Sequence, residues 1–291
     1  MMRFGLLGTG HWAAETQGAA LARHPGIEFV GVWGRSLTRA TAVATRYGVG
    51  AYDDLDTLLA EIDAVAIALP PDVQGDLALR AARAGKHLVL DKPVALTVEA
   101  ADLLVTEVDR RDLASVVFFT NRFHANVADF LAHAATRTWA SARATLYASI
   151  FTPGGPYADS AWRRAHGGLW DLGPHALSLI LPVLGPVDRV EALAGAGGIS
   201  HVLLRHTNGT TSTLSLSLDA PTVVNEVVYY GPDGAVPLVE GRPGTSVDAF
   251  GAAIDVVVGQ AGTVAPRHPC DVRFGRDVVA VLAAAQAAAD R

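Results

Sequence analysis

Along the first 120 positions, apolar residues fall in short, nearly unbroken runs separated by stretches with helical spacing. The runs Arg3–Leu7, Ile27–Trp33, Ala64–Leu69, His87–Leu90 and Ser115–Phe119 predict strands buried on both faces of a parallel sheet. The intervening stretches Ala13–Arg23, Leu37–Tyr47, Leu55–Glu61, Val73–Ala84 and Thr97–Arg111 predict helices. Ser36 and Thr97 stand where N-caps belong, and Gly85 stands where a chain leaves a helix. Strand and helix in alternation predict an α/β, doubly wound parallel sheet.

After about residue 120 the period changes. Ala142, Ala144, Leu146, Ala148 and Ile150 alternate with polar neighbours, and Leu214, Leu216 and Leu218 alternate with Thr213, Ser215 and Ser217. Asn208-Gly209 reads as a type I′ hairpin turn joining His201–His206 to Thr211–Leu218. Pro232-Asp233-Gly234 turns Val223–Tyr230 into Ala235–Glu240. These strands predict an α+β region with an open, mainly antiparallel sheet, and Val247–Gln260 and Val272–Ala289 predict two closing helices. Two domains are expected, residues 1–120 and 121–291.

The first chemistry lies between the first strand and the first helix. Gly8-Thr9-Gly10-His11-Trp12-Ala13 follows Phe4-Gly5-Leu6-Leu7, and a second strand follows within about 30 residues. Gly8 makes a sharp turn, Gly10 lets backbone approach a pyrophosphate, and Ala13 lets the helix pack on the strand. The helix N-terminus then faces the phosphates with amides and partial positive charge. A dinucleotide is expected there, held by Gly8, Thr9, Gly10, His11 and Trp12. At the end of the second strand, where an acid usually serves the NAD ribose, stand Gly34-Arg35-Ser36. No carboxylate repels a 2′-phosphate, and Arg35 can pair with one while Ser36 donates to it. NADP(H) is therefore expected over NAD(H), although a solvated Arg35 and a helix-capping Ser36 would look the same.

Composition narrows the rest. Of 291 residues half are hydrophobic, and the formal charge of -6 comes without a basic stripe, so nucleic acid is not an expected partner. The single cysteine, Cys270, cannot form an internal disulfide, and no charged-then-apolar leader opens the chain; a cytoplasmic location is expected. Val278–Ala289 is apolar but too short to span a bilayer, so no membrane association is expected. The ten histidines are scattered without metal-ligand spacing, and no metal is expected. A Gly-x-Ser-x-Gly elbow is absent, which removes support for serine-nucleophile chemistry.

Two further constellations complete the pattern: Leu90-Asp91-Lys92-Pro93, and Gly167-Gly168-Leu169-Trp170-Asp171-Leu172-Gly173-Pro174-His175. Together with the glycine turn, Trp162-Arg163 and Asn121-Arg122-Phe123, they make the chain resemble the Gfo/Idh/MocA oxidoreductases over nearly its whole length. The resemblance implies an N-terminal Rossmann domain and a C-terminal substrate and oligomerisation domain. It implies a catalytic set of Lys92, Asp171 and His175, with the histidine as acid–base and the aspartate orienting substrate, and a homodimer or homotetramer formed through the open sheet. Asn121 and Arg163 become candidates for the substrate side.

The residues carry these roles physically. Lys92 follows a strand and so projects into the crevice beyond the strand ends, where an ammonium stabilises an alkoxide during hydride transfer. Asp171 and His175, four apart, share a helix face. Pro174 belongs in a first turn, which places the helix start near Asp171 and leaves an N-cap role open for it. His175 near that helix start favours neutral imidazole, able to take a hydroxyl proton.

Three positions depart from the family pattern. Asp91 replaces the common glutamate, Pro70-Pro71-Asp72-Val73-Gln74 stands where many relatives carry Thr-Pro-Asn and a later histidine, and no acid follows His175. Leu69, Pro70, Pro71 and Asp91 remain candidate cofactor contacts. The expected function is hydride transfer between nicotinamide and a small polyol, sugar or cyclic alcohol or ketone. The alternatives are a lyase or glycoside hydrolase that oxidises its substrate transiently, and a non-catalytic dinucleotide-binding sensor.

Overall fold

The computed structural model describes residues 1–238, 244–263 and 267–291. Its contacts gather the chain into two units, Met1–Phe123 with Gly244–Asp277, and His124–Pro243 with Val278–Arg291.

The first unit opens with β1 (Met2–Leu7), a π-helical stretch (Ala13–Gly18) that continues into α1 (Ala19–Arg23), and β2 (Ile27–Trp33). It goes on through α2 (Leu37–Tyr47), β3 (Gly50–Tyr52), α3 (Leu55–Glu61), β4 (Ala64–Ile67), α4 (Pro71–Arg83) and β5 (His87–Leu90). The run closes with α5 (Val98–Arg110), β6 (Ser115–Val117) and a 3-10 turn at Thr120–Phe123. The strands pair in the order β3-β2-β1-β4-β5-β6, every pair parallel. This is the doubly wound order, in which all carboxyl ends of the strands lie along one edge. Phe4, Leu6, Ala64, Ala66, Val89 and Val116 are buried, which is why these segments read as continuous apolar runs. Ser36 and Thr97 cap α2 and α5 by accepting from Arg39 N and Ala100 N, each cap contributing about 1 kcal/mol.

The second unit is built from α6 (Ala125–Ala134), β7 (Ser141–Ser149), α7 (Ala161–Asp171), α8 (Gly173–Leu184), β8 (Val187–Ala194), β9 (Ser200–His206), β10 (Thr211–Ser217), β11 (Asp219–Gly231) and β12 (Gly234–Pro237). Its sheet runs β12-β11-β7-β10-β9-β8. Four pairs are antiparallel and the central β10–β7 pair is parallel. Leu204, Leu214, Leu216 and Tyr229 are buried from this sheet, and Tyr229 Oη donates to Leu179 O in α8 at 2.8 Å.

The chain then returns to the first unit with α9 (Ser246–Gln260), started by a capping box between Thr245 and Asp248. Phe250, Ile254 and Val257 join the core of the parallel sheet, and Phe250 meets Phe118 edge-on at 4.9 Å. The last helix, α10 (Val272–Ala289), contributes its residues through Asp277 to the first unit and the rest to the second.

Several expectations change in detail. β3, α6 and β8 escaped the pattern, the first being three residues long and β8 mostly exposed. The β9–β10 hairpin exists, but His206 N donates to Thr210 O and closes a three-residue loop. A type I′ turn needs positive φ at both central residues, and Asp112 is the one non-glycine residue with positive φ among those described. Ser217, expected on the polar face with Thr213 and Ser215, is buried because backbone at Gly168 packs against Leu216 and Ser217. The expected strand Ala235–Glu240 stops at Pro237, and its last two positions lie outside the described residues.

Candidate active site

The carboxyl edge of the parallel sheet collects the loops after β1, β2, β4 and β5. Gly8, Thr9, Gly10, His11 and Trp12 follow β1; Gly34, Arg35 and Ser36 follow β2; Leu69, Pro70 and Pro71 follow β4; Asp91 and Lys92 follow β5. These loops are knitted together. Gly8 N donates to Trp33 O at 3.0 Å, and Ala68 N donates to Leu7 O at 2.9 Å. Gly8 adopts φ +137°, and a Cβ there would lie 2.4 Å from Ala68 O. A Cβ on Gly34 would lie 2.6 Å from Thr9 Cγ2, so the first two loops touch.

Gly10 is exposed, and a Cβ there would enter open space. Without a side chain at Gly10 the backbone of the turn stays open to a ligand, and the turn leads into the helical stretch at Ala13. Trp12 Nε1 is buried with no hydrogen-bond partner in the structure, a donor left over beside that cradle. Residues and shape fit a dinucleotide, with phosphates at the Gly8–Trp12 backbone. Arg35 and Ser36 are exposed, and no carboxylate occupies their loop. Ser36 Oγ also caps α2, so the bland reading of that residue holds, while its hydroxyl hydrogen is still a donor.

Lys92 is half-buried, and its backbone N–H donates to Asp91 Oδ1 at 2.8 Å. The backbone around it is fastened by Gln74, whose amide reaches the carbonyls of Asp91 and Pro93. No sequence motif singles out Gln74, although its segment departs from the family pattern. The signal was a polar residue on the strand-facing side of an otherwise Ala-rich helix.

In the second unit, α7 is broken at Gly167, with φ +60° and ψ -162°. The break brings Gly168 so close to β10 that a Cβ would sit 2.9 Å from Leu216 C and Ser217 N. This anchors the turn that carries Asp171 and His175. Asp171 is the last residue of α7, and the N-cap position of α8 belongs to Leu172, which makes no side-chain cap bond. The N-cap role left open for Asp171 is therefore not the one it fills: its Oδ2 accepts from Arg163 Nε at 2.9 Å. Asp171 is buried, and the Arg163 guanidinium lies over the rings of Tyr157 at 4.2 Å and Trp162 at 5.4 Å.

Pro174 lies in the first turn of α8 as its chemistry requires, and His175 follows it, half-buried. Leu172 N donates to Gly168 O and Ala176 N to Leu172 O, so helical bonding runs through the junction and keeps Asp171 and His175 one turn apart. The structure thus joins Arg163, Asp171 and His175 in one element pair. Asn121 belongs to the first unit, in its 3-10 turn, where it is buried. Among the described residues, no group of three or more His, Cys, Asp or Glu is placed to hold a metal. No helix there is long and apolar enough to cross a membrane.

Comparison with known proteins bears on the fold and the class of protein. Residues 2–119 match the family model described as an oxidoreductase family with an NAD-binding Rossmann fold. An uncharacterized oxidoreductase of Rhizobium meliloti is 42% identical over 113 residues, 38% of this chain and 34% of that protein, so this alignment spans about a third of the relative. The dTDP-3,4-didehydro-2,6-dideoxy-alpha-D-glucose 3-reductase of Streptomyces antibioticus is 29% identical over 251 residues, 81% of this chain and 75% of that enzyme. In fold, the UDP-N-acetylglucosamine 3-dehydrogenase of Acidithiobacillus ferrooxidans superposes with a TM-score of 0.84 at 23% identity, covering 99% of this chain and 98% of the other. Residues 2–119 thus carry the NAD-binding Rossmann region of the Gfo/Idh/MocA oxidoreductases, and the likeness in fold extends over 99% of the chain.

Proposed function

We propose that the chain is an NADP-dependent dehydrogenase or reductase acting on a small polyol, sugar or cyclic alcohol or ketone. The observation that carries this reading is the shared carboxyl edge of one parallel sheet, which holds the glycine cradle, Arg35-Ser36 and Lys92 together. When bound, the nicotinamide gives or accepts the hydride. Arg35 pairs with the 2′-phosphate and Ser36 donates to it. Lys92 stabilises the substrate oxygen as charge develops on it. His175 takes the hydroxyl proton in oxidation and returns it in reduction. Asp171, fixed by Arg163, orients a substrate hydroxyl. The sugar class is supported by the Streptomyces reductase, whose named substrate is a keto sugar.

A homodimer or homotetramer through the open sheet belongs to the same proposal. Leu193, Leu203 and Val223 are exposed large apolar residues on strands of that sheet. A cytoplasmic setting belongs to the same proposal, in keeping with a single cysteine, Cys270, that is buried as a free thiol. Titrating the protein with NADPH and with NADH tests the cofactor assignment: tighter NADPH binding is expected, and tighter NADH binding rejects it.

A further inference from the structure

Gln74 has no solvent exposure, and its side chain is used on three sides. It occupies the fourth position of α4, a register set by the two prolines before it: Val73 N and Gln74 N both donate to Pro70 O at 2.9 Å. From there the carboxamide meets the chain just past β5. Its Nε2 donates to Asp91 O at 2.7 Å and to Pro93 O at 3.0 Å, and its Oε1 accepts from Asp91 N at 3.0 Å. The residue before Lys92 and the residue after it are thus held by one side chain. Gly75 lets α4 lie against the continuation of that turn, since a Cβ there would already stand 3.4 Å from Ala95 Cβ.

We propose that Gln74 is a positioning residue for Lys92: its carboxamide clamps the backbone on both sides of that lysine and so sets where the ammonium stands. The inference rests on the reading of Lys92 as the group that stabilises the substrate oxygen. Glutamine suits the task because one side chain supplies two donors and an acceptor without charge. A glutamate has no donor at neutral pH and would turn its oxygens on two carbonyls. A methionine matches the length and offers nothing to either.

The chain makes the test unusually clean, because its only lysines are Lys86 and Lys92. Lys86 Nζ donates to Ile62 O and serves as the internal reference. Native protein, Gln74→Met and Gln74→Glu are acetylated with trace acetic anhydride, and the modified lysines are quantified by peptide mass spectrometry. Both variants are expected to raise the Lys92-to-Lys86 ratio by about fivefold or more, the factor one buried hydrogen bond is worth in an equilibrium. A general loosening of the fold would raise both lysines together and leave the ratio unmoved. An unchanged ratio in both variants overturns the proposal.

If neither variant folds, the unsubstituted protein decides. The Gln74 side-chain NH2 protons are expected to exchange with solvent as slowly as the Asp91 backbone amide; exchange at the rate of an exposed glutamine overturns the clamp. Failure of the underlying reading looks different. Lys92→Met that keeps full hydride transfer removes the catalytic role of Lys92, while the labelling ratio still reports whether Gln74 holds it.

Discussion

Arg163 Nε donates to Asp171 Oδ2 at 2.9 Å, joining the first turn of α7 to its last residue across the break at Gly167. The pair is largely enclosed, with side-chain exposures of 24% for Arg163 and 10% for Asp171. Neither partner is an idle surface charge, and the aspartate is fixed in one orientation beside the first turn that carries His175.

Removing the arginine leaves a buried carboxylate without its charged donor. Arg163→Leu is expected to cost about 1.5–3 kcal/mol of stability. Adding Asp171→Asn in the same chain is expected to cost less than the sum of the two single changes. Urea unfolding of the four proteins measures this, and strict additivity would show that the pair is not coupled.

Lys92→Met keeps the size of the side chain and deletes the ammonium. NADPH binding, read by nicotinamide fluorescence, is expected to change less than about tenfold, while turnover falls by about 100-fold or more. Loss of binding with intact turnover of the residual complex would place Lys92 in cofactor binding alone.

Arg35→Glu puts a carboxylate where the 2′-phosphate is expected. The ratio of NADPH to NADH affinity is expected to fall by about 10- to 100-fold, the worth of one charge-assisted contact. A ratio that does not move would show that Arg35 is only a solvated side chain.

Acidification should weaken the fold through buried imidazoles. Burial, with the Arg122 charge adding to it, holds His268 down to about 4, and its ring stacks on Phe123 at 5.4 Å. Its ordinary value is 6.5, so the unfolded chain takes up a proton that the folded chain refuses. The stabilisation is complete above pH 6.5 and is lost as pH falls through about 4, an effect of at most about 3 kcal/mol. Burial also lowers His87 and His206, in the same direction. Urea midpoints measured from neutral to acidic pH should fall, and His268→Phe should fall less steeply; equal slopes would remove His268 as a cause.

The parallel sheet was legible because burial on both faces leaves strands as apolar runs, and Ile27–Trp33 and His87–Leu90 match to the residue. The caps at Ser36 and Thr97 were legible because their chemistry is local. What escaped depends on partners distant in sequence. Gln74 acts on residues 17 and 19 positions away, and no spacing rule connects them. The parallel β10–β7 pair and the burial of Ser217 follow from strand order and from Gly168, not from alternation. An N-cap role stayed open for Asp171 because Pro174 marks a first turn; the preceding helix claims it instead, and Arg163 takes its carboxylate.

The central claim is net hydride transfer through a bound nicotinamide with Lys92 as the charge stabiliser. The most direct measurement follows reduced-nicotinamide absorbance while the protein is mixed with panels of polyols, sugars and keto sugars, each with NADP(H) and NAD(H). The account predicts stoichiometric absorbance change with at least one of them, stronger with NADP(H) and lost in Lys92→Met. Substrate conversion on a retained dinucleotide with no net absorbance change would contradict it and point to transient oxidation.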